Sequence, residues 1–138
     1  MLCTTCNIYI TMGINYSRIK LDLYSKNATK LTDDITKYIN LIELDCQNNA
    51  ITRLDNLPPG LQKLDCQDNA IVRLDNLPPV LQILKCQNNN ITSLNNLPLG
   101  LLKLYCSNNL LQYDFEPTIE NIKNNNASSN ASSNTIKN

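Results

Sequence analysis

The apolar residues of this chain return in blocks of twenty. Set in rows from Leu41, the sequence reads LIELDCQNNAITRLDNLPPG, LQKLDCQDNAIVRLDNLPPV, LQILKCQNNNITSLNNLPLG and LLKLYCSNNLLQYDFEPTIE. Leu opens each row at Leu41, Leu61, Leu81 and Leu101 and recurs at Leu44, Leu64, Leu84 and Leu104. Cys follows at Cys46, Cys66, Cys86 and Cys106, then Asn at Asn49, Asn69, Asn89 and Asn109, then Ile51, Ile71, Ile91 and Leu111. A fixed period of this length marks a solenoid of stacked coils. The LxxLxC segment predicts a short strand, whose alternation sends Leu44 and Cys46 to one face and Glu43, Asp45 and Gln47 to the other. The apolar face must be the interior. Ile51, Leu54 and Leu57 turn inward as well, because a coil can bury its apolar face only against its neighbours. Twenty residues leave little room for an ordinary helix on the return side, and the LPP segments favour an extended, polyproline-like path there.

The ends of the array are less regular. Leu21-Asp22-Leu23 aligns with Leu64-Asp65-Cys66, so residues 18–40 read as a degenerate first repeat before repeats 41–60, 61–80, 81–100 and 101–120. Residues 1–17 read as an N-terminal cap, a short hairpin with Ile8-Tyr9-Ile10 and Ile14-Asn15-Tyr16 flanking Gly13. Solenoids need such atypical ends because a terminal coil lacks a covering neighbour. Glu116-Pro117 predicts the opening of a short helix, with Pro at its first position and Ile119 and Ile122 on one face. From Asn124 the chain reads NNNASSNASSNTIKN, a polar tail with nothing to bury, and residues 124–138 are expected to be disordered.

The pattern LxxLxCxxNxI resembles the leucine-rich repeat, LxxLxLxxNxL, with Cys in place of the third Leu. The twenty-residue length and the LxxLPPxL segments, Leu54 to Leu61 and Leu74 to Leu81, resemble more specifically the short repeats of the bacterial YopM/IpaH effector class. The resemblance covers 41–111 strongly and 18–40 weakly. It implies an α/β-type leucine-rich-repeat solenoid with short parallel strands on a concave face, an extended convex side and little helix. It further implies protein recognition as the usual use of the concave face.

Two columns have structural readings. An Asn at the end of a strand can satisfy turn backbone groups through both ends of its amide. Asn49, Asn69, Asn89 and Asn109 are therefore expected to form a structural ladder, since an unpaired buried backbone group costs about 1–3 kcal/mol. The four column cysteines sit one strand apart with parallel Cβ vectors, whereas a disulfide needs its Cβ atoms about 3.5–4.5 Å apart and facing each other. They are expected to be free thiols packed as small hydrophobes. Cys3 and Cys6 form one CxxC without a second ligand pair, so no metal site and no cofactor are expected.

Composition narrows the function. Of 138 residues, 23 are Asn and 22 Leu, with no His and no Trp. Without His, Ser-His-Asp and Cys-His nucleophile systems cannot be built. The three glycines form no phosphate-binding loop. Twelve basic residues balance twelve acidic ones, against the basic excess of a nucleic-acid binder. No apolar run is long enough to cross a membrane, and the N-terminus does not read as a secretory signal. The chain is expected to be cytoplasmic, or to act in a host cytoplasm if it comes from a virus or pathogen.

Function is then expected on the outward strand positions. Glu43, Lys63, Ile83 and Lys103 form one column, Asp45, Asp65, Lys85 and Tyr105 a second, and Gln47, Gln67, Gln87 and Ser107 a third. The face runs from acidic to basic and ends in an aromatic, and Ile83, Leu102 and Tyr105 add apolar surface to it. Tyr is enriched in binding hot spots. The expected function is a non-catalytic module that binds a protein or peptide, with no nucleic-acid, membrane or small-molecule partner. The alternatives are a structural or decoy array without a dedicated ligand, or a repeat fragment of a ubiquitin-ligase-like effector. Such a ligase domain needs its own fold, for which the residues after Leu111 are too few.

Overall fold

A computed structural model of the chain describes residues 9–11, 19–31, 35 and 38–133. Six strands form one sheet in sequence order: β1 (Tyr9–Thr11), β2 (Ile19–Asp22), β3 (Leu41–Asp45), β4 (Lys63–Asp65), β5 (Ile83–Lys85) and β6 (Lys103–Tyr105). Strands β2 to β6 are parallel, so each coil returns to start the next strand beside the last. The register repeats without slippage from β3 onward, with Leu44 beside Leu64, Leu64 beside Leu84 and Leu84 beside Leu104. Among the described residues the single helix is α1 (Ile119–Ser133). The chain is thus a parallel-strand solenoid with a period of twenty residues.

Its core is a set of aliphatic columns running along the stack. Leu41, Leu61 and Leu81, Leu44, Leu64 and Leu84, and Ile51, Ile71 and Ile91 are all buried, with Cys46, Cys66 and Cys86 between them. Burying one such aliphatic side chain contributes about 1.5–3 kcal/mol, and the columns place at least three of them in each interior coil. Pro58, Pro78 and Pro98 are buried at the return corner, where their carbonyls accept the N–H of Leu61, Leu81 and Leu101 at 3.1 Å. The segments between Ile51 and Pro58, and their repeats, carry no helix, as the LPP motif predicts. Coils are tied there by the N–H of Ala70, Asn90 and Leu110 donating to Ile51, Ile71 and Ile91 carbonyls.

At the N-terminal end, β1 pairs antiparallel with β2, Tyr9 opposite Asp22 and Thr11 opposite Lys20. Among the described residues the partner of this strand is Ile19–Asp22. The reason is the ladder: β2 is held by β3 on one edge, and its other edge needs covering. Ile14–Tyr16, Cys3 and Cys6 lie outside the described residues.

The C-terminal helix also differs from expectation. It opens at Ile119, two residues after Pro117. Thr118 caps it, with its Oγ1 accepting the N–H of Asn121 at 3.2 Å. Ile122 is buried and Ile119 packs against the core, so the apolar pair does face one way. The helix continues through Asn124 to Ser133, where disorder was expected. Two polar tethers hold its first half: Lys123 Nζ donates to Leu99 O at 2.7 Å, and Asn126 Nδ2 donates to Asn95 O at 2.9 Å. A capped and docked first turn removes the nucleation cost, after which each residue adds its own hydrogen bond.

Candidate functional site

The outward positions of β3 to β6 share one face because each coil repeats the same alternation in the same register. Glu43 stands beside Lys63, Lys63 beside Ile83 and Ile83 beside Lys103. In the next column Asp45 stands beside Asp65, Asp65 beside Lys85 and Lys85 beside Tyr105. The degenerate coil joins both columns, with Lys20 beside Glu43 and Asp22 beside Asp45. All eleven outward residues named from the sequence lie along this stack. The geometry also shows which of them are already engaged.

Lys63 Nζ meets Glu43 Oε1 at 2.7 Å, and Lys85 Nζ meets Asp65 Oδ2 at 2.9 Å. The hydrogen bond from Lys85 to Asp65, with the charge of that carboxylate, raises the Lys85 ammonium above its ordinary pKa. Both pairs are partly exposed, so each contributes at most about 1 kcal/mol. Their larger effect is to neutralise the middle of the face. The glutamines extend this network. Gln47 Nε2 donates to Asp45 Oδ2 at 3.0 Å, and Gln67 Nε2 donates to Gln47 Oε1. Gln87 Oε1 is buried without a partner among the described residues. A depression of about 270 Å³ runs across Lys20, Glu43, Asp45, Lys63, Asp65 and Lys85.

Beyond Lys85 the network stops. Lys103 is exposed and meets no carboxylate among the described residues. Tyr105 is 45% exposed and Leu102 69%. The charge gradient of the sequence thus becomes a division: a self-paired polar region over β3 to β5, and an unpaired cation beside apolar surface at β6.

The asparagine column lies at the far end of each strand and joins every coil to the preceding one. Asn69 Nδ2 donates to Cys46 O, Cys66 O and Gln67 O at 3.0–3.1 Å, while its Oδ1 accepts the Ile51 N–H at 2.9 Å. Asn89 repeats this with Cys66 O, Cys86 O, Gln87 O and Ile71 N–H. Asn109 repeats it with Cys86 O, Cys106 O, Ser107 O and Ile91 N–H. Asn49 reaches back into the degenerate coil, donating to Leu23 O and accepting from Lys26 and Ala28 N–H.

Two features of this turn were not read from the sequence. Asn48, Asp68, Asn88 and Asn108 adopt φ between 53° and 55°, and Asn56 and Asn76 adopt 58° and 55°. The left-handed region is open to Asn and Asp at lower cost than to other non-glycine residues. A column in which only Asn or Asp occurs, one residue before the ladder, was the available signal. The first of these columns also forms an outer rail, with Asn88 Nδ2 donating to Asp68 Oδ1 and Asn108 Nδ2 to Asn88 Oδ1, both at 2.7 Å.

The column cysteines are free. Burial pushes the thiols of Cys46, Cys66 and Cys86 far above the ordinary thiol pKa, and Cys106, half-buried, is raised by the same cause. Cys66 and Cys86 lie 3.3 Å from the carbonyls of Lys85 and Tyr105 in the next coil, in position to donate their S–H. Among the described residues no group of three or more His, Cys, Asp or Glu could hold a metal ion, and no helix is long and apolar enough to cross a membrane. Larger clefts, of about 500 and 350 Å³, lie between the return segments. Their charges, Arg53 with Asp55 and Arg73 with Asp75, are paired within a coil at 3.2 and 3.1 Å.

No known family model matches the chain, and no curated protein matches it.

Proposed function

We propose that the chain is a non-catalytic recognition module that binds a protein or peptide through the outward face of its sheet. We read it more finely as a leucine-rich-repeat solenoid of the short YopM/IpaH-like type, the outward face being its concave side. The observation that carries the reading is the unequal engagement of that face. Glu43 with Lys63 and Asp65 with Lys85 satisfy each other, while Ile83, Lys103 and Tyr105 present an aliphatic, cationic and aromatic group together toward the β6 end. Such a patch has the composition of a binding hot spot beside a steering charge. Nucleic acid, membrane and small-molecule substrates are not the partners this reading assigns, and it needs no cofactor.

The test is affinity purification of the full chain with identification of the captured protein, followed by binding kinetics on the purified pair. Tyr105→Ala should weaken binding by about 1–3 kcal/mol, mostly through faster dissociation. Lys103→Glu should slow association, more at low salt. Lys85 is a poorer probe than its position in the sequence implies, because reversing it also leaves Asp65 facing a carboxylate. If Tyr105→Ala and Lys103→Glu bind like the unaltered chain while Arg73→Glu, on the return side, abolishes binding, the recognition surface is elsewhere.

A further inference from the structure

The last coil is incomplete on one side. In the interior coils, N–H groups at and after the end of the strand point toward the next coil. Cys46, Cys66 and Cys86 donate to Asp65, Lys85 and Tyr105 carbonyls at 2.8 Å, and Asn48, Asp68 and Asn88 donate to Gln67, Gln87 and Ser107 carbonyls at 3.0–3.1 Å. Ile51, Ile71 and Ile91 donate to the next ladder Asn. In the last coil the N–H groups of Cys106, Asn108 and Asn109 meet no acceptor among the described residues, and Leu111 has no following ladder Asn. The core is open at the same place. Leu104 and Cys106 are half-buried, whereas Leu64, Leu84, Cys66 and Cys86 are fully buried. Helix α1 does not close this edge. Its approach brings Pro117 O to 3.7 Å from Cys106 Sγ but leaves Leu104 partly open.

Charge is unfinished there too. Each ion pair of the sheet links one strand to the next, Glu43 to Lys63 and Asp65 to Lys85. Lys103 sits in the column of Glu43 and Lys63, but the strand before it offers Ile83 where Lys63 finds Glu43, so a carboxylate can reach it along this column only from a strand added after β6.

We propose that the free edge of β6 docks an extended acidic segment of a partner protein, which adds as a seventh strand parallel to β6. Its carbonyls accept the N–H groups of Cys106 and Asn108. A carboxylate lies beside Lys103, and an aliphatic side chain one residue later covers Leu104. Parallel orientation follows because the free donors repeat the spacing that receives a parallel coil at β4, β5 and β6. Main-chain bonds of an added strand supply affinity, and alternate side chains supply specificity. This rests on the reading of the chain as a recognition module and narrows the contact from the face of the sheet to its end.

The test uses the full chain and a synthetic nonapeptide copying residues 41–49 with Cys46→Ser, which sets Glu43 against Lys103 and Leu44 against Leu104. Amide exchange and chemical shifts are followed by NMR. Saturable binding is expected, with exchange at Cys106 and Asn108 slowed about tenfold or more and the amides of β4 unchanged. Lys103→Glu should weaken the peptide about fivefold or more, and Glu43→Lys in the peptide should restore it. Absence of saturable binding, binding without protection of those two amides, or indifference to the charge swap overturns the proposal. So does protection that appears without peptide as the chain self-associates, since a second copy then occupies the edge. A partner bound through Tyr105 that leaves both amides exchanging freely overturns the edge site alone. A partner bound only through the return side, with a silent peptide, overturns both readings.

Discussion

Coil 61–80 and the coil that begins at Leu101 share five residues at matching positions, Leu61, Lys63, Leu64, Cys66 and Asn69 against Leu101, Lys103, Leu104, Cys106 and Asn109, but only the first has a coil on both sides. Leu64 and Cys66 are sealed between Leu44, Cys46, Leu84 and Cys86, whereas their counterparts Leu104 and Cys106 are partly open. Lys85 in the coil between them is paired with Asp65 of the coil before it, and Lys103 is not, because Ile83 stands before it. The difference shows that a position in this chain has no fixed energetic worth; it acquires one from the coils on either side. The ladder asparagines are the exception. Their bonds run back to the preceding coil, so Asn109 is as fully engaged as Asn69.

Four experiments would sharpen or break that contrast, each read from denaturant unfolding. The largest effect is expected from the strand leucines. Leu64→Ala should cost about 2–5 kcal/mol, as for other buried large-to-small changes, and Leu104→Ala clearly less. Equal losses would mean that the end coil is as well sealed as the middle. The ladder should behave oppositely. Asn69→Ala should cost about 1–3 kcal/mol through stranded backbone groups, and Asn109→Ala nearly as much. A mild Asn109→Ala would show that its bonds are not held in solution.

The thiols supply a third test through pH. Their folded pKa values are raised, so above the ordinary thiol value of 9.0 the unfolded chain loses protons that the folded chain keeps. Stability therefore falls as pH rises past that value, by up to about 1.4 kcal/mol per pH unit for each shielded thiol. Cys66→Ala should flatten this alkaline slope more than Cys106→Ala does, and identical slopes would remove the distinction between the two coils. The smallest effect concerns the return side. Asn76 lies away from the strand and would be nearly neutral to substitution if only its side-chain contacts mattered. Its φ of 55° changes that. Asn76→Ala should cost about 1 kcal/mol, while Asn76→Gly, free of the Cβ clash, should be close to neutral. Equal outcomes for the two would leave backbone strain without a role there.

Much of the scaffold was legible because twenty-residue spacing turns a linear sequence into columns. Once Leu64 follows Leu44 by one period, parallel strands, outward Glu43 and Asp45, and an extended return path through Pro58 all follow from alternation and proline chemistry. The cross-strand ion pairs were available by the same logic, since Glu43 and Lys63 are one period apart, but the columns were read as a gradient rather than as neighbours. The left-handed turns were hidden because Asn serves two purposes here: Asn49 was read for its amide, and Asn48 beside it was not read for its backbone. At the ends, where no repeat enforces the register, local cues fell short. The turn expected at Gly13 did not point to Ile19–Asp22 as a partner of β1, and a polar composition after Asn124 gave no sign that Thr118, Lys123 and Asn126 would start and tether a helix.

The unbroken register has a consequence for how such a chain can change by inheritance. A stretch of twenty codons lost or copied in frame carries one complete coil and cuts no column. Without residues 61–80, Gly60 would run directly into Leu81, Leu44 would meet Leu84, and Asp45 would find Lys85 in the place Asp65 now holds. The array can therefore lengthen or shorten in single recombination events while its interior chemistry stays intact. What shifts is the outward pairing of charges, so a change in coil number redraws the sheet's outer surface before it disturbs the fold.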